Sequence, residues 1–98
     1  MATRQEMTEL FADVTERVAE LPIQQNCITT ECFVSKILIQ FRLTVKTGAR
    51  KEIATFFFHG FKEIDELKAI ADKTISVIQT DSYEKMTAYM QEIYGDKS

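Results

Sequence analysis

At 98 residues, 45% of them hydrophobic, the chain has the size of one domain spanning residues 1–98, with enough apolar side chains to build a core without disulfides or metals. Two cysteines exclude a disulfide scaffold, no apolar run approaches the roughly 18 to 20 residues that cross a bilayer, and the amphipathic N-terminal segment has no signal-peptide core, so a cytoplasmic protein without membrane contact is expected. The formal charge of −3 conceals a dipolar chain: residues 1–32 carry two basic and six acidic side chains, residues 33–51 five basic and none acidic, and residues 52–98 five basic and nine acidic.

Thr3-Arg4-Gln5-Glu6 is a capping-box pattern, in which the Thr3 hydroxyl accepts from an amide of the first turn and Glu6 reaches back to the cap. A helix is expected from there. Met7, Leu10, Phe11, Val14, Val18 and Leu21 recur at three- and four-residue spacing and form its apolar stripe, while Glu6, Glu9, Asp13, Glu16 and Glu20 make a broad negative face. Pro22 ends it, because the residue before a proline is pushed out of the α region. Residues 23–32 are polar and weakly patterned and read as a connection, with room for a short strand at Cys27–Thr30.

From Phe33 to His59 the sequence reads as one long antiparallel β-hairpin. Ile37, Ile39, Phe41, Leu43 and Val45 occupy odd positions, and Lys36, Gln40, Arg42, Thr44 and Lys46 occupy even ones, with Leu38 the one apolar exception. Gly48 can take the positive φ of a two-residue turn with Ala49. That turn would set Val45 opposite Glu52, Leu43 opposite Ala54, Phe41 opposite Phe56 and Ile39 opposite Phe58. Core residues would share one face. The other would carry the basic row together with Lys51, Ile53, Thr55, Phe57 and His59.

Phe61, Ile64, Leu67, Ala71, Ile75 and Ile78 then continue at helical spacing. The β-branched stretch Thr74–Thr80 could form a third strand instead, but no Gly or Pro interrupts the pattern, which favours one continuous helix. Asp81-Ser82-Tyr83-Glu84 opens a last helix whose stripe is Tyr83, Met86, Met90 and Ile93 and whose end is Gly95. The expected class is α+β, in the order α-β-β-α-α.

Chemistry is sparse in this chain. There is no phosphate-binding glycine loop, no nucleophile motif and a single histidine, His59, so no catalytic residue and no enzyme activity are expected. The C-x4-C spacing of Cys27 and Cys32 is a poor match to a four-ligand zinc site; buried or half-buried free thiols are expected, with no metal and no cofactor. Two binding classes fit what is left. The first is a small protein-interaction module: a regulator or inhibitor of a larger protein, or a subunit that homodimerises through the hairpin or the last helix. A variant of it has the acidic helices imitating a nucleic-acid surface. Aromatic and methionine side chains crowd the last helix, as they do at interfaces. The second is nucleic-acid binding by the basic face of the hairpin, residues 36–59, where cations would neutralise phosphates and Phe57 would stack a base. The partner-binding candidates are Lys36, Leu38, Arg42, Lys46, Arg50, Lys51, Phe57, Tyr89 and Tyr94.

Overall fold

The computed structural model describes residues 1–22, 26–36, 39–47 and 51–95. The chain forms α1 (Arg4–Ala19), β1 (Asn26–Val34), β2 (Ile39–Thr47), β3 (Glu52–His59), α2 (Ile64–Gln79) and α3 (Tyr83–Tyr94). It is the expected α+β arrangement of one helix, a strand region and two helices, with three strands in the middle in place of two. The strands form an antiparallel meander in the order β1-β2-β3.

Local signals at the helix ends act as the sequence predicts. The Glu6 amide donates to Thr3 Oγ1 at 3.1 Å and the Thr3 amide to Glu6 Oε1 at 2.8 Å, closing the capping box of α1. Met7, Leu10, Val14 and Val18 are its buried residues, and the helix stops at Ala19, shortly before Pro22. Residues 74–79 belong to the single continuous helix α2, because Leu67, Ala71, Thr74, Ile75 and Ile78 all turn into the core. Burial of that stripe outweighs the β preference of its side chains. Phe61 is not part of α2. It lies in a turn and is 66% exposed, since the carbonyls of Gly60 and Lys62 both accept from the Ala2 amide and hold this segment out of the helix. Ser82 caps α3 through the Lys85 amide at 3.3 Å.

The long hairpin from Phe33 needs correction. β1 covers Asn26–Val34 and pairs residue for residue with β2, from Asn26 opposite Thr47 to Val34 opposite Ile39. Phe33 and Val34 therefore end one strand and do not begin the next, and the short strand expected at Cys27–Thr30 is nine residues long. The β2–β3 register also differs. Val45 lies opposite Ala54, Leu43 opposite Phe56 and Phe41 opposite Phe58, with an irregularity that places Lys46 opposite Glu52. This is two residues away from the register of a Gly48-Ala49 turn, whose residues lie outside the described ones. An even shift preserves the faces. Phe41, Leu43, Val45, Ala54, Phe56 and Phe58 accordingly remain together in the core.

All three helices cover that one face. α1 lies against β1 and β2, α3 against β3, and α2 against both helices. The Phe41 and Phe58 rings stack at 4.6 Å, Phe11 tilts against Phe41 at 5.3 Å, and Phe56 meets Tyr89 at 5.6 Å. Such ring pairs contribute about 0.5–1.5 kcal/mol each beyond burial.

Candidate functional site: the open face of the sheet

Because side chains alternate along a strand, one-sided helix packing leaves a second face uncovered. Register assembles it in four rows across β1, β2 and β3: Phe33–Gln40–His59, Glu31–Arg42–Phe57, Thr29–Thr44–Thr55 and Cys27–Lys46–Glu52. Phe33 is 41% and Phe57 43% exposed, large values for phenylalanine.

Arg42 organises the centre. Its Nε and Nη2 both donate to Glu31 Oε1 at 2.8 Å, and its guanidinium lies 5.2 Å from the centroid of the Phe33 ring. In this half-exposed setting the ion pair is worth at most about 1 kcal/mol and the cation–π contact about 0.5–1 kcal/mol, so the arrangement fixes a shape more than it stabilises the fold. His59 Nδ1 lies 2.7 Å from Gln40 Oε1, and the imidazole lies parallel to Phe57 at 6.1 Å.

Tyr94 links this face to α3. Its hydroxyl accepts from the Phe57 amide at 2.7 Å and its ring meets Phe57 edge-on at 6.5 Å. Burial pushes its pKa above the ordinary value of 10.0; the Phe57 hydrogen bond acts the other way, and nearby Tyr89 adds to the rise.

The partner-binding candidates thus divide. Arg42, Lys46 and Phe57 share the open face, with Tyr94 beside Phe57. Lys36 and Lys51 are exposed at the two ends of the β2 region, in the turn after β1 and just before β3. Leu38 and Arg50 lie outside the described residues. Tyr89 is a core residue, 4% exposed, with its hydroxyl 3.0 Å from Thr74 Oγ1, so it offers no surface. The last helix buries Met86 and Tyr89, with Tyr83 and Ile93 exposed. Its stripe is rotated from the expected one, and Met86, Tyr89 and Met90 already stand at i, i+3 and i+4.

Charge is where reading in sequence and reading in space diverge most. The basic run of residues 33–51 meets acids from the flanking strands, Glu31 beside Arg42 and Glu52 beside Lys46, so the described part of the face is balanced. Glu31 and Phe33 were missed as members of the face. The signal is the parity of β1, obscured when residues 23–32 read as a connection with room only for a short strand at Cys27–Thr30.

Cys27 and Cys32 are free and exposed, where the sequence predicts burial or half-burial; they sit on an edge strand whose second half is exposed. Five residues apart on one strand, they project from opposite faces and do not converge on an ion. Among the described residues no group of three His, Cys, Asp or Glu side chains is placed to hold a metal, and no helix is long and apolar enough to cross a membrane. An open groove of about 480 Å³ runs between α1 and α2, lined in part by Glu6, Glu9, Asp13 and Asp72. Arg17 spans it, 3.5 Å from Asp13 and 2.9 Å from Asp72.

Compared with models of known protein families, with curated proteins and with solved structures, the chain has no match in any of the three.

Proposed function

We propose that the chain is a small, non-enzymatic protein-binding module that docks a larger protein on the open face of its sheet, acting as a regulator or inhibitor of that partner. The observation that carries this reading is the centre of the face. Two half-exposed phenylalanines flank an arginine whose charge is already matched by Glu31. An aromatic and arginine cluster with balanced charge suits a protein surface, since aromatic residues and Arg are enriched at protein interfaces. A phosphate backbone would be met by a surplus of unpaired cations, and acidic neighbours weaken that alternative. Exposed free thiols support a cytoplasmic, reducing setting.

The test is affinity capture from the source cell with the purified protein as bait, with and without nuclease. One protein recovered in stoichiometric amount in both arms is the expected outcome, with recovery reduced at least tenfold by Phe57→Thr or Arg42→Glu. Recovery abolished by nuclease would transfer the face to nucleic acid. Recovery indifferent to both substitutions would move the interface off this face.

A further inference from the structure

The two edges of the sheet are treated differently. On β3, the Phe57 amide points away from β2 and is taken by the Tyr94 hydroxyl at 2.7 Å, so α3 guards that edge, and the β2–β3 ladder is irregular. Among the described residues β1 has no such guard. It runs nine residues without a bulge, contains no Lys and no Pro, and its last four residues, Glu31 to Val34, are exposed on both faces. Val34, on the helix side, is 64% exposed, so the helix layer leaves the end of this strand uncovered. Long, flat edges of low charge are templates for another strand, and proteins that stay monomeric blunt them with devices such as Lys, Pro and bulges, which this strand lacks.

Which backbone groups face outward follows from Phe57. In an antiparallel ladder the N–H and C=O of a residue point to the same side, and successive residues alternate. Since Phe57 faces away from β2, its partner Arg42 bonds toward β1, and Glu31, opposite Arg42, bonds back toward β2. The neighbours on β1 therefore point out: Asn26, Ile28, Thr30, Cys32 and Val34. Among the described residues no backbone bond satisfies these groups.

Thr30 is the midpoint of both the strand and this outward set. We propose that two copies of the chain pair antiparallel along β1 about a two-fold axis at Thr30, joining their sheets into one of six strands. A two-fold axis there sets Thr30 against its own copy, Ile28 against Cys32 and Asn26 against Val34, and every outward residue finds an outward partner. The only charge on the strand, Glu31, falls opposite Thr29, whereas an axis at Glu31 would oppose two carboxylates. Phe33 falls opposite Cys27. Sulfur at a ring is a favourable contact, and the exposed end of each strand is covered by the start of the other. A second copy is thus a better occupant than an arbitrary peptide, because the strand complements itself over its full length. This pairing uses the edge of the sheet, so it stands apart from docking on the open face.

Light scattering on a dilution series tests it, with Thr30→Pro as the variant. Proline at Thr30 deletes an outward N–H and leaves the bonds to β2, a substitution edge strands accept. The expected result is a particle of twice the 11.3 kDa chain mass that Thr30→Pro converts to a monomer with unchanged circular dichroism. In a Cys27→Ser, Cys32→Ser background, Thr30→Cys should cross-link to a covalent dimer on oxidation, since directly opposed residues stand about 5.5 Å apart between Cα atoms, within disulfide range. A wild-type monomer at every concentration overturns the proposal, as does a folded Thr30→Pro that remains dimeric. If Thr30→Pro fails to fold, the Thr30→Cys cross-link decides.

Discussion

The hydroxyl pair between Thr74 and Tyr89 shows how a few polar atoms are managed in this core. Both side chains are buried and each is the other's partner at 3.0 Å. Tyr89→Phe alone should cost about 1–3 kcal/mol in urea unfolding by stranding the Thr74 hydroxyl, and Thr74→Val added to it should restore much of that loss, because two apolar groups of similar shape leave nothing unsatisfied. Tyr94 offers a different readout. Its pKa is raised in the folded state, so the neutral phenol is favoured there, and the linked stability is fully present below the ordinary value of 10.0 and is lost as pH rises through the folded value. The Tyr94→Phe variant should be less stable near neutrality, having lost the acceptor for the Phe57 amide, and its stability should fall less steeply than that of the wild type above pH 10.0. Denaturant midpoints measured across that range check both.

At the level of elements, what was legible depended on how completely each one is buried. A capping box and an apolar stripe define α1, and an apolar stripe alone defines α2, since a helix against a core needs one apolar face. Thr3→Ala, which opens the capping box, should lower stability by about 1 kcal/mol in thermal or urea unfolding. β2, central and half-buried, showed its alternation plainly. β1 did not, because an exposed edge strand has little need of a strict pattern, and Ile28, Cys32, Phe33 and Val34 fall on both of its faces. Losing β1 also hid half of the open face: Arg42 and Phe57 were visible as candidates, while Glu31 and Phe33, which determine the charge and shape around Arg42, were not. In α3 the error was rotational. Tyrosines can be either core or surface, and Tyr89 went inward where Tyr83 did not.

Across the whole molecule, every strand pairs with its neighbour in sequence, but α1 meets α2 across most of the chain, as in the ion pair of Arg17 with Asp72. Loop closure costs less for the first kind of contact than for the second. Assembly in time should follow that difference. The meander is expected to be formed in the rate-limiting transition state, with α1 docking on the downhill side. Stopped-flow chevrons separate the two: Leu43→Ala, at the buried centre of β2, should mainly slow folding, and Val14→Ala, in α1, should mainly accelerate unfolding. A newly collapsed chain would then present a finished sheet whose apolar side still awaits its first helix.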